Sequence, residues 1–212
     1  MPTGQSPDET STANTGADAI IAFGAVRCIR GGNMLFENLS FTLASTGALR
    51  VSGPNGAGKS SLLRLAAGLL DPVAGTVTRG ARLSLTDERA ALDPDRSVAQ
   101  ALRWWARLDG APEGAVDAAL DALGCAHLAP VPVRLLSTGQ RKRAALARTI
   151  ASGAPLWLLD EPANGLDAAT IPLLEAAIAR HRAAGGAVMI ATHIALALPD
   201  AQQITLGAAV PV

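Results

Sequence analysis

The run Gly53-Pro54-Asn55-Gly56-Ala57-Gly58-Lys59-Ser60 constrains this chain more than any other stretch. Its glycines let consecutive backbone N–H groups turn toward one point, where phosphate oxygens can be cradled. Such a loop works only between a strand and a helix. Leu49-Arg50-Val51-Ser52 reads as a short strand before it, and Lys59 to Ala67 carries Leu62, Leu63, Leu65 and Ala66 at helical spacing after it. The chain is therefore expected to contain a strand–loop–helix unit that binds a nucleoside triphosphate through Gly53 to Ser61. Lys59 is expected to neutralise the β- and γ-phosphates, and Ser60 to give an oxygen to magnesium.

The flanking pattern extends that unit into an α/β fold. Residues 1–18, rich in Ser, Thr, Gly, Asp and Pro, read as a disordered tail, and 19–212 as one domain. Ile20 to Ile29 and Phe36 to Leu43 alternate in polarity around Gly31-Gly32-Asn33, the signature of two antiparallel strands and a turn. Short strands are expected around Thr76-Val77-Thr78 and Arg82-Leu83-Ser84-Leu85, after the turn Asp71-Pro72-Val73-Ala74-Gly75. A small helical lobe follows over about residues 90–138, broken at Asp109-Gly110-Ala111-Pro112. Helices over Gly139 to Ala151 and Ala168 to Ala184 then alternate with apolar strands over Leu156 to Leu159 and Ala187 to Thr192. That alternation predicts a mainly parallel sheet with helices on both faces, beside an antiparallel β subdomain.

Composition excludes several classes. The 49% hydrophobic content over 212 residues supplies a full core. A formal net charge of +0, with only the short cluster Arg141-Lys142-Arg143, argues against nucleic acid as a partner. Cys28 and Cys125 are far apart, and His127, His181 and His193 are scattered, so no disulfide framework or zinc cluster is indicated and a reducing compartment fits. No apolar run approaches the roughly 18 to 20 residues that cross a bilayer.

Two further motifs give the loop its context. Leu156-Trp157-Leu158-Leu159 ends in Asp160-Glu161, which places one carboxylate at the sheet edge to hold magnesium and the next where it can act on a water as general base. Between loop and strand lies Leu136-Ser137-Thr138-Gly139-Gln140, heading a helix with Ser137 as N-cap. In this order the three motifs, spanning about residues 20 to 207, resemble the ATP-binding-cassette (ABC) ATPases. The resemblance implies ATP and Mg2+ as ligands and a head-to-tail dimer of two copies. In that dimer Ser137, Gly139 and Gln140 of one copy grip the γ-phosphate held by the other. It makes His193 the switch histidine, contacting the γ-phosphate or the attacking water, and Asp167, in Asn164-Gly165-Leu166-Asp167, a residue that meets the second copy. Lys59, Glu161 and His193 are then the catalytic set, with Ser60, Asp160 and Glu88 on magnesium.

Within that family, Arg30-Gly31-Gly32-Asn33-Met34-Leu35-Phe36, Leu39-Ser40-Phe41-Thr42-Leu43 and Leu92-Asp93-Pro94 look like the compact ATPase subunits of haem exporters used in cytochrome c maturation. The resemblance implies a peripheral protein on the cytoplasmic face of the bacterial inner membrane, working with transmembrane permease subunits and itself binding no haem. The alternative is the ATPase of another small ABC exporter. An ABC protein acting on ribosomes or DNA predicts tandem cassettes, a coiled coil or basic extensions, none of which the sequence has. Three positions depart from the usual pattern. Arg30 stands where an aromatic residue normally stacks on adenine, and a guanidinium also lies flat on a base. Glu88 replaces the glutamine that normally links magnesium to the membrane partner, and Thr138 replaces a glycine of the signature. Trp104 and Trp105 point about 100° apart on a helix, so at most one faces a groove for the membrane partner, and burial of both is the favoured expectation.

Overall fold

The computed structural model describes residues 19–87 and 92–207. The expected disordered tail, Glu88 and the last five residues of the expected domain, 208–212, lie outside them. β1 (Ala19–Arg30) and β2 (Asn33–Ala44) pair antiparallel around the glycine turn. The chain then enters β3 (Ala48–Ser52) and α1 (Lys59–Ala67). β4 (Ala74–Arg79) returns to the free edge of β1, completing a three-stranded antiparallel sheet in the order β2-β1-β4. β5 (Leu83–Thr86) leads to the lobe, formed by α2 (Val98–Leu108), α3 (Ala115–Ala122) and 3₁₀ turns at 126–128 and 133–135. α4 (Thr138–Ala151), β6 (Leu156–Asp160), α5 (Ile171–Ala183), β7 (Ala187–Ala191) and β8 (Gln202–Thr205) complete the order.

The second sheet runs β5-β6-β7-β3-β8 with every neighbouring pair parallel. β7, and β6 up to its terminal Asp160, are apolar throughout because both their faces are covered. Along β6 the side chains alternate between two cores. Leu156 and Leu158 pack with α1 and the antiparallel sheet, whereas Trp157 and Leu159 pack with the lobe and α5. β7 divides the same way, Ala187, Met189 and Ala191 to the first core and Val188 and Ile190 to the second. The sheet is thus the partition between the two halves of the molecule.

Through α4, polar contacts tie the lobe to the sheet. Thr149 of α4 shares hydrogen bonds with Ser84, at 3.1 Å, and with Thr86, both on β5 and all buried. The Arg148 guanidinium lies 3.7 Å over the Trp105 ring. Burial lowers the pKa of Arg148, and the charges of Asp109 and Asp87 oppose that shift.

Three features differ from the sequence expectation. β8 is absent from it, since Gln-Gln-Ile-Thr has no apolar run and its residues are mostly exposed at the sheet edge. α5 begins at Ile171 rather than Ala168, because the Asp167 carboxylate accepts from the Thr170 N–H at 2.8 Å and closes a turn there. Trp104 is not buried: 46% of it is exposed, and it meets Trp105 edge-on at 4.8 Å. Trp104 also lines a groove of about 310 Å³ with Asp93 and Arg96.

At the sheet end remote from the phosphate loop, His181 stacks on Trp157 at 3.8 Å and shares a 3.2 Å hydrogen bond with the Ala187 carbonyl. Burial holds its pKa below the ordinary 6.5, opposed by hydrogen bonds to backbone carbonyls. The folded state therefore resists a proton that the unfolded chain accepts, and stability falls as pH drops through 6.5. The expected outcome is a melting temperature that declines between about pH 7.5 and pH 5.5, with a shallower decline in His181→Phe. Thermal melts across that range check it, and equal slopes for the two proteins would remove His181 as the cause.

Candidate nucleotide site

At the end of β3 the chain turns through Gly53, whose φ is +138°. A Cβ at that position would lie 2.4 Å from the Leu206 carbonyl oxygen, so the loop is pressed against the segment that follows β8. Gly58, at φ +103°, caps α1 without any side-chain hydrogen bond to its N-terminus. The first N–H groups of α1 are thus left for a ligand, with the positive end of the helix behind them. Lys59 is buried, and its Nζ donates to the carbonyls of Gly53 at 2.9 Å and Pro54 at 3.2 Å, which keeps the ammonium inside the loop.

Asp160 closes β6 two strands from β3, with only 6% of its surface exposed. Burial raises its pKa, while a hydrogen bond from Ser60 and the charges of Lys142 and Arg64 oppose the shift, and the Glu161 charge adds to it. The Ser60 hydroxyl and the Asp160 carboxylate are hard oxygen donors already in contact, which suits magnesium shared with phosphate oxygens. Among the described residues no cluster of His, Cys, Asp or Glu forms an all-protein metal cage.

Glu161 adopts φ +44°, a conformation that costs a side-chain-bearing residue of order 1 kcal/mol or more. Its N–H donates to the Ala191 carbonyl at 2.8 Å, joining the ends of β6 and β7. Its Oε2 lies 3.0 Å from His193 Nδ1 and accepts from the His193 backbone N–H at 3.3 Å. The two side chains thus form a pair at the mouth of a cleft of about 530 Å³. Arg30, Asn55, Gly56, Gly58, Lys59, Ser60, Ser61, Asp160, Glu161 and His193 all line it. So do Leu35 and Asn164, which the sequence reading did not place there. Asn164 stood in the recognised loop after β6, yet nothing in the linear pattern shows that this loop turns back toward the phosphate side.

The signature residues lie elsewhere. Ser137 and Gln140 form a reciprocal capping box on α4, Gln140 N–H to Ser137 Oγ at 3.2 Å and Ser137 N–H to Gln140 Oε1 at 3.0 Å. Neither they nor Gly139 lines the cleft of their own chain. Gly139 sits against the loop after β6, where a Cβ would meet the Gly165 carbonyl at 2.8 Å. Asp167 is exposed, and hydrogen bonds from Thr170 hold its pKa below the ordinary carboxylate value. The cysteines take no part: burial pushes both thiols up, Cys125 to about 11.

A glycine-cradled anion site on a helix N-terminus, facing a strand-end carboxylate pair, defines a P-loop nucleotide-binding protein. A sequence profile described as ABC transporter matches residues 36–164. The solved structure of a metal-chelate type ABC transporter in an inward-facing conformation superposes with a TM-score of 0.76 at 25% identity, covering 90% of this chain and 80% of that one. The cbiO1 structure from Clostridium perfringens, part of the ABC transporter complex cbiONQ, gives 0.69 at 25% identity over 84% and 80% of the two chains. The curated "Cytochrome c biogenesis ATP-binding export protein CcmA" of Sphingopyxis alaskensis is 57% identical over 89% of this chain and 97% of its own length. Its counterpart in Rhodospirillum rubrum is 48% identical over 90% and 87%. The chain belongs to the CcmA branch of the ABC transporter family and is an ABC-type ATPase.

Gly53→Ala is expected to destabilise the fold by about 1–3 kcal/mol, because both the φ and the contact with Leu206 exclude a Cβ, and to abolish nucleotide binding. Urea unfolding and titration with a fluorescent ATP analogue check it. Wild-type stability and affinity together would show that the loop is free to adjust.

Proposed function

We propose that this protein hydrolyses ATP to drive a haem-export complex for c-type cytochrome biogenesis. The supporting observation is the gathering of Lys59, Ser60, Asp160, Glu161 and His193 around one cleft. The names of its relatives supply the cytochrome c direction. Gly53 to Ser61 bind the phosphates, and Arg30 at the cleft rim lies on the base. Ser60 and Asp160 are the residues that would hold magnesium, with Glu88 the expected link to the membrane partner. Magnesium supplies neutralisation of charge on the β- and γ-phosphates. Glu161 takes a proton from water as the water oxygen bonds to the γ-phosphorus, and the bond to the bridging oxygen breaks with its electron pair leaving on ADP. With Nδ1–H given to Glu161, a neutral His193 ring presents Nε2 as an acceptor, which suits an O–H of that water.

Ser137, Gly139 and Gln140 lie outside their own cleft, so their role requires a second copy whose nucleotide they meet. That arrangement is a head-to-tail dimer with two-fold symmetry, Asp167 at its seam. Among the described residues no helix is long and apolar enough to cross a membrane, and the pore belongs to separate permease subunits. Trp104 and its groove are the place where such a subunit docks on the lobe, which seats the protein peripherally at the cytoplasmic face of the inner membrane. Haem itself passes through the permease and is not bound here. The alternative reading, the ATPase of another small ABC exporter, shares every step but the cargo.

Lys59→Ala is expected to lower ATP hydrolysis at least about 100-fold, the scale of losing a charge aimed at the reacting phosphate. Glu161→Gln is expected to keep ATP binding, lose about 100-fold or more in kcat, and accumulate as a dimer on size exclusion. Replacing the chromosomal gene by the Glu161→Gln version and staining denaturing gels for covalent haem tests the cargo. Loss of c-type cytochromes, restored by the wild-type copy, is the expected result. Unchanged bands would transfer the ATPase to another exporter.

A further inference from the structure

The first turns of α4 grip the segment leaving β6. Beyond the close approach of Gly139 to the Gly165 carbonyl, Lys142 Nζ donates to the Asp160 carbonyl at 3.1 Å, and Arg143 lies 3.8 Å from the Asp167 carboxylate. The Asp160 carbonyl belongs to the peptide group joining Asp160 to Glu161. The other end of that group, the Glu161 N–H, is held by the Ala191 carbonyl at 2.8 Å. One peptide plane is therefore pinned on both sides, by α4 and by β7. The residue just beyond it, Glu161, has φ +44°. A conformation of that kind persists only where surrounding bonds over-determine it.

We propose that Lys142 is a positioning residue for hydrolysis. By holding the Asp160 carbonyl it keeps Glu161 in its strained backbone conformation and so aims the carboxylate at the attacking water. This rests on the reading of Glu161 as general base. Lys142 is not among the residues that line the cleft. Its hydrogen bond acts on the Asp160–Glu161 peptide, whereas Gly53 to Ser61 follow a different strand, β3. The basic cluster that looks like a solvated helix face in the sequence thus has two members, Lys142 and Arg143, turned onto the segment that leaves β6.

The test compares Lys142→Met, which keeps side-chain length without a donor, with Lys142→Arg, which restores a cation, and with Glu161→Gln, all in the full chain. In Lys142→Met, kcat is expected to fall about tenfold, the scale of misplacing a reacting group, with affinity for a fluorescent ATP analogue within about twofold of wild type. Lys142→Arg is expected to recover most of the lost kcat. Lys142→Ala serves as a second variant should the methionine protein aggregate. Wild-type kcat in Lys142→Met, or a loss shared equally by kcat, affinity and melting temperature, would overturn the proposal. If Glu161→Gln itself hydrolyses ATP normally, the general-base reading fails first, and the positioning role fails with it.

Discussion

Turning several backbone N–H groups toward one anion demands glycine conformations, and it demands a strand held firmly enough to keep them there. β3 meets the second demand by lying inside the parallel sheet, between β7 and β8. The loop it carries is hemmed in at both ends, by the Leu206 carbonyl against Gly53 and by Leu35 and Phe36 against Gly58. Both neighbours come from distant parts of the chain. The two cores press on the sheet from opposite sides, so the position of the phosphate loop is a property of the whole packing.

The carboxylates answer the same geometry from the far side of β7. Asp160 is driven into the sheet end by the apolar strand behind it, and its charge is sustained there by Ser60, Lys142 and Arg64. Glu161 leaves the strand in a conformation most residues avoid, which takes it out of line with β6 and over to His193. Strain of this type is tolerated where the hydrogen bonds around it are fully made, and the Asp160–Glu161 peptide meets that condition through Lys142 and Ala191. Chemistry and backbone are therefore linked through α4.

Much of this was legible in the linear pattern. The phosphate loop was readable because its function resides in the backbone and only glycine permits that backbone. β6 and β7 were readable because strands buried on both faces are continuously apolar. Ser137 as an N-cap was readable from its place at the head of a helix, and the structure adds a reciprocal capping box with Gln140. Other features were hidden. β8 joins the sheet through main-chain pairing with β3, which its polar side chains do not announce. Trp104 reads as core by composition, yet adjacent positions on a helix point about 100° apart, and here Trp105 took the half-buried side against Arg148 while Trp104 stayed exposed.

Local chemistry and period decided most of the secondary structure, the α/β class and the glycine loop between β3 and α1, since each depends on residues close in sequence. Only the tertiary structure decided which sheet each short strand joins. It also brought Asn164 and Leu35 into the cleft, kept Ser137, Gly139 and Gln140 out of their own, and turned Lys142 onto the Asp160 carbonyl. The physical reason is that these outcomes depend on contacts between segments tens of residues apart. Backbone carbonyls and N–H groups, present at nearly every position, carry many of those contacts, so no pattern of side chains could encode them.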